Sequence, residues 1–157
     1  MTSYGGAVST SDELTWAEIA DRLGREPFWW LGTCSPQAGP HCVPVWGVVV
    51  DGAAFSYADA GARRMRDLRE DARVTLHLPS AVDVLVVSGT MTDIGVAEQF
   101  PEVVAAYARA YPDPGDRQWL PGTEHMLGVR LLRLHPTSAR AWHLDDFFGS
   151  QRRWRAG

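Results

Sequence analysis

The stretch from Pro40 to Val74 constrains the fold more than any other part of the chain. Val43, Val45, Trp46, Val48, Val49 and Val50 are β-branched or aromatic and suit a pleated, largely buried strand. Asp51-Gly52 separates them from a second run, A-A-F-S-Y-A, and that dipeptide between two such runs marks a tight hairpin. Pro44 lies inside the first strand without an N–H to give, so the sheet there is an edge, a bulge or an opening. A short helix is expected next, with Arg63, Arg64 and Arg66 crowded in or near its first turn. The helix dipole already places about half a positive charge at that end, and each exposed cation there costs roughly 0.3–1 kcal/mol unless an anion joins it. Two readings follow. Either phosphate sits on the helix start, where backbone N–H groups also favour it, or the arginines form a solvated face over Met65 and Leu68.

The rest of the chain supplies strands and two further helices. Residues 1–11 read as a flexible tail and 12–157 as one domain. Helix-like spacing of Leu14, Trp16, Ile19, Ala20 and Leu23 predicts a first helix, capped by Ser11 or Asp12 and stopped at Gly24. A strand over Phe28 to Cys34 precedes the hairpin, and R-V-T-L-H-L alternates as another. D-V-L-V-V-S-G-T-M-T-D-I reads as a long strand, bulge-prone at Gly89. Pro101 is expected to begin the regular part of the next helix, because proline is accepted in a first turn. Residues 112–123 form a long loop, and two strands are expected on either side of Pro136. Seven short strands with mostly hairpin connections indicate a mainly β protein, a closed or nearly closed antiparallel barrel with two or three peripheral helices. The arginine helix is the one clear interruption among the early strands, and a ligand is expected to enter there.

Several chemistries are excluded by what the chain lacks. Every cation is arginine; there is no lysine and no asparagine. A lysine Schiff base and a lysine-dependent phosphate loop are therefore impossible. The formal net charge of −4 offers no broad basic field for nucleic acid. No apolar run has the length of a membrane span, and the polar opening is not a signal peptide, so a cytoplasmic location is expected. Histidines 41, 77, 125, 135 and 143 include no i,i+4 pair with a glutamate between, so no metal site is expected. No G-x-S-x-G elbow is present either. Cys34 and Cys42 flank S-P-Q-A-G-P-H. A hairpin centred near Ala38 makes them face each other, which leaves a disulfide geometrically open, although reduced thiols are the expected state in the cytosol. Trp29, Trp30 and Trp46 suit a core or an interface, whereas Trp142 and Trp154 are candidates for lining a pocket.

The stretch W-L-G-T-C-S-P-Q-A-G-P-H-C-V-P-V-W-G-V-V-V-D-G-A-A-F-S-Y, followed by R-R-M-R-D-L-R-E-D-A-R-V, resembles the pyridoxamine 5'-phosphate oxidase-like superfamily of FMN-binding split β-barrels. It is most similar to the flavin/deazaflavin oxidoreductases, whose members bind FMN or F420. The second half agrees chiefly in element order and in the terminal R-R-W-R. The resemblance implies a homodimer with two cofactor sites at the subunit interface. It also implies that Val43, Pro44, Val45 and Trp46 lie along the cofactor ring, that Ser56, Tyr57 and Ala58 approach it, and that Arg63 and Arg64 hold its phosphate. Two positions depart from the family pattern: Ala62 stands where a hydroxyl residue is usual, and Arg64 where lysine often is. Arginine adds a bidentate fork at a phosphate. Some relatives of this fold bind haem instead. The activity implied is hydride transfer from reduced F420, with FMN as the alternative cofactor, to a conjugated C=C or C=N bond of a planar small molecule. A flavin- or deazaflavin-binding protein without turnover is the other possibility. No catalytic side chain is assigned, since the cofactor carries the redox chemistry.

Overall fold

The computed structural model describes residues 13–157; the expected tail and the two proposed cap residues lie outside them. The order of elements is α1 (Trp16–Arg25), β1 (Phe28–Ser35), β2 (Gly39–Val50), β3 (Ala53–Ala58), α2 (Arg63–Glu70), β4 (Arg73–His77), β5 (Asp83–Val96), α3 (Pro101–Ala110), β6 (Arg130–His143) and β7 (Arg152–Arg155). The strands form one antiparallel sheet in the order β3-β2-β1-β4-β5-β6-β7, and pairing of β3 with β6 closes the first six into a barrel. The fold is a split β-barrel with helices around it.

The hairpin between β2 and β3 forms at Asp51 and Gly52. Both take positive φ, 49° and 75°, the left-handed conformation that a tight hairpin turn demands. Alternation then sorts the side chains into two sets. Trp29, Leu31, Val45, Ala54, Leu76, Leu85 and Leu132 point inward to the main core, joined by Ile19 and Leu23 of α1 and Met65 of α2. Val48, Phe55 and Leu131 point outward beneath α3, where they pack with Val103, Ala106 and Tyr107.

Four expectations are corrected. Helix α1 begins at Trp16, capped by Thr15, whose hydroxyl accepts from Glu18 N while the Glu18 carboxylate accepts from Thr15 N. It continues through Gly24 to Arg25. The two strands expected around Pro136 are one, β6. The register shifts there, with Gly89 opposite Pro136 and Ser88 opposite Ser138, so Thr137 is the extra residue that absorbs the proline. The seventh strand is instead the tail R-R-W-R, which pairs with residues 138–141 of β6 and packs Trp154 on Trp16 at 5.3 Å. Cys34 lies opposite Pro40 and Cys42 opposite Gly32, so the two cysteines are diagonal rather than facing, and both are free. Pro101 does open its helix, as expected.

Candidate functional site

The site is built where β2 and β3 part company. Their ladder runs from Val50↔Ala53 to Gly47↔Ser56 and stops. Beyond it, residues 39–46 of β2 pair with β1 alone, and Tyr57 and Ala58 of β3 pair with β6 alone. Pro44 stands in this unpaired half, where its missing N–H leaves no ladder bond broken on the open side. Side-chain oxygens take over where the strands separate. Ser56 Oγ and Tyr107 Oη both donate to the carbonyl of Trp46, at 3.0 and 3.1 Å, and Tyr107 also donates to Phe55 O at 3.2 Å. A carbonyl that would face a neighbouring strand is thus satisfied by two hydroxyls, and the parting is held open.

Of the residues implicated by sequence, Val43 and Val45 turn their side chains toward the core, so they can offer a ligand only backbone. Pro44 is exposed, and Trp46 is half-buried and stacks on Tyr111 at 4.7 Å. Ser56 and Ala58 are buried. Tyr57 donates its hydroxyl to Trp119 O at 2.8 Å, which pins the 112–123 loop beside the opening. Burial pushes the Tyr57 phenol up to about 12, against the pull of the Arg64 charge. Burial likewise raises Tyr107 and Tyr111 above the ordinary phenol range. Tyr111 Oη accepts from Gly47 N and shares its one proton between Pro27 O and Gly47 O, so these hydroxyls are spent on backbone.

Helix α2 closes this end of the barrel. Its N-cap is Ala62, which makes no side-chain cap bond, and its first turn contains no acid. The two leading arginines diverge. Arg63 Nη2 reaches the β1–β2 turn, donating to Ala38 O at 3.0 Å and Gly39 O at 3.4 Å. Arg64 Nη2 reaches the end of β3, donating to Tyr57 O at 2.9 Å. The two guanidiniums thus lie toward different strand ends, Arg63 at the β1–β2 turn and Arg64 at the end of β3. Burial lowers the Arg64 pKa from its ordinary value, only partly opposed by the nearby Tyr57 and Asp59, the mark of a partly desolvated cation. Beneath them Asp67 is 2% exposed and accepts from Thr33 Oγ1 at 2.7 Å.

Among the described residues, three buried side-chain polar atoms have no hydrogen-bond partner: His41 Nδ1, Arg63 Nε and Arg64 Nε. All three belong to the unpaired half of β2 or the start of α2. Buried donors without acceptors cost about 1–3 kcal/mol each, and such atoms call for an explanation. The two arginine nitrogens are N–H donors, which the oxygens of an anion can accept from. His41 was visible in the P-H pair, yet no spacing rule gave it a role. Thr33, Asp67 and Tyr107 were missed because their partners lie more than thirty residues away. Trp29 is core, Trp142 lines a cleft of about 370 Å³ near α1, and Trp154 is a packing residue. No group of three His, Cys, Asp or Glu side chains among the described residues could hold a metal.

Comparison with known proteins agrees with this architecture. No curated protein sequence matches the chain. Solved structures do. A conserved hypothetical protein of Mycobacterium tuberculosis superposes with a TM-score of 0.68 at 20% identity, over 88% of this chain and 90% of its own. A heme binding protein of Mycobacterium smegmatis gives 0.66 at 16% identity, over 91% of this chain and 59% of that one. An F420 reductase gives 0.59 at 15% identity, over 76% and 94%. At such identities the likeness is one of fold. The sequence itself matches the pyridoxamine 5'-phosphate oxidase family model over residues 15–143, and the chain belongs to that family.

Proposed function

We propose that this protein is an oxidoreductase that binds F420 and passes a hydride from its reduced form to a conjugated C=C or C=N bond of a planar, apolar small molecule. FMN is the alternative cofactor. The observation that carries the reading is the set of unpartnered buried nitrogens on His41, Arg63 and Arg64, at an uncapped helix start beside an opened strand pair. In this reading Arg63 and Arg64 hold the cofactor phosphate. The free edge of Val43–Trp46 lies along the ring, and Ser56, Tyr57 and Ala58 border it. The bound cofactor supplies the hydride; the chain orients it and keeps water away. None of Tyr57, Tyr107 and Tyr111 offers a free proton to the acceptor, because each hydroxyl already donates to a backbone carbonyl. That same lack of a free proton donor favours the second reading, a cofactor-binding protein without turnover.

The reading includes a two-fold homodimer in the cytoplasm. Helix α3 covers the outward residues of β2, β3 and β6 but leaves Phe28 and Trp30, 46% and 37% exposed, on the outer face of β1. A second copy is the simplest cover for such a face. No helix among the described residues is long and apolar enough to cross a membrane. The decisive experiment adds F420 and FMN separately to purified protein and measures affinity. Stopped-flow mixing of the reduced complex with enones, imines and tetrapyrroles then follows. Tight binding without reduction of any acceptor above the uncatalysed rate establishes the carrier. A monomeric mass at micromolar concentration removes the dimer.

A further inference from the structure

Arg63 is held near a carboxylate without being bonded to it. Its Nε lies 3.8 Å from Asp67 Oδ2, beyond hydrogen-bond range, and is one of the unpartnered buried nitrogens. The same Oδ2 accepts from Thr33 Oγ1 at 2.7 Å. Thr33 and Asp67 are 4% and 2% exposed, so this bond is shielded from water. Asp67 is four residues after Arg63 on α2, the spacing at which an arginine and a carboxylate ordinarily pair directly. Here the direct pair is not made. The Thr33 bond tethers the carboxylate at this distance, near enough to compensate the guanidinium charge and too far to accept from Nε.

We infer that Thr33 and Asp67 are positioning residues that keep the Arg63 Nε–H unspent for an oxygen of an anionic ligand. This inference rests on the phosphate-bearing cofactor proposed above. The cleft beside Arg63, about 420 Å³ between α2 and the β1–β2 turn, is also lined by Ser35, Gln37, Arg66, Asp67 and Glu70. Through it an anion has access to the guanidinium, whose side chain is 36% exposed. Without the Thr33 hydroxyl, the Asp67 carboxylate loses this tether, and Arg63 Nε, 3.8 Å away, is a donor it can move to meet. The resulting i,i+4 pair would satisfy both groups and close the site.

The test is a pair of variants with opposite expected effects. Titration calorimetry with F420, FMN and inorganic phosphate is run on wild type, Thr33→Val and Thr33→Val/Asp67→Asn. Loss of one charged hydrogen bond predicts affinity about tenfold weaker or more in Thr33→Val. The double variant, lacking the competing charge, regains most of that loss, and Thr33→Ser retains wild-type affinity. A purely structural role for Thr33 predicts a double variant at least as weak as the single one. Unchanged affinity in Thr33→Val, or no recovery in the double variant, overturns the inference and leaves the cofactor reading standing. Wild type that takes up none of the three ligands overturns both. NMR of the arginine Nε–H groups supplies a readout without ligand or substitution. In ligand-free wild type the Arg63 Nε–H carries the chemical shift of a guanidinium without a carboxylate acceptor, and it moves downfield in Thr33→Val as the pair with Asp67 forms. A carboxylate-bonded shift already present in wild type sinks the idea even if Thr33→Val does not fold.

Discussion

The two ends of the β2–β3 pair are closed by helices of opposite character. At the hairpin end, α1 has a reciprocal capping box, arginines in its last turn, and Ile19, Ala20 and Leu23 buried. Its last turn also receives the indole N–H of Trp29, which donates to Leu23 O at 3.0 Å. At the other end, α2 has no cap, arginines in its first turn, and only Met65 and Asp67 buried. The rules for a helix start, a side-chain cap and an acid in the first turn, are met by α1 and unmet by α2. The α2 end keeps its donors unmatched, as a binding site does before its ligand arrives.

The largest expected effect is at Trp29, whose indole meets the last turn of α1. Trp29 is fully buried, and its ring lies so close over Gly47 that a Cβ there would sit 2.1 Å from a ring carbon. Trp29→Ala leaves a cavity and a Leu23 carbonyl held by Glu26 N alone, and should cost about 3–5 kcal/mol in denaturant unfolding. A cost below about 1 kcal/mol would erase the contrast between the ends. The next effect is at α2. Arg64→Ala should weaken cofactor binding on the order of 10- to 100-fold, and more with Arg63→Ala added. Stability should change far less than in Trp29→Ala, since both arginines are only half-buried. Unchanged affinity in the double variant, with the fold intact, would reduce these arginines to ties between α2 and the strand ends.

The sequence made the hairpin end easier to read than the site. Asp51-Gly52 between β-branched runs is a local signal, and the strands on both sides of it form where expected. The start of α1 was local too: T-W-A-E is a capping box, but buried Leu14 extends the apolar spacing upstream. Leu14 is buried for another reason, since its N–H bonds Arg153 O of the tail. Pro136 looked like a strand break because the bulge that accommodates it depends on Gly89, nearly fifty residues earlier. The same limit applies to the site. Arg63 and Arg64 announce themselves by their position in a first turn. Their divergence does not, because it is set by Ala38, Gly39 and Tyr57, each in a different turn or strand.

Two smaller substitutions test the helix ends directly and should act in opposite directions. Thr15→Ala removes the hydroxyl that accepts from Glu18 N at 3.2 Å and should destabilise the protein by about 1 kcal/mol. Ala62→Ser supplies α2 with the missing cap. The Ala62 backbone, at φ −61° and ψ 147°, already has the extended conformation that an N-cap serine needs. The added oxygen can accept from an N–H of the first turn, so stability should rise by up to about 1 kcal/mol. The gain should be the smaller of the two effects, because Ala62 is half-buried against the core and the serine hydroxyl loses some hydration there. Denaturant midpoints for both variants check the pair. A loss in Ala62→Ser would mean that the uncapped start is imposed by packing, and that the contrast between the two ends is steric rather than functional.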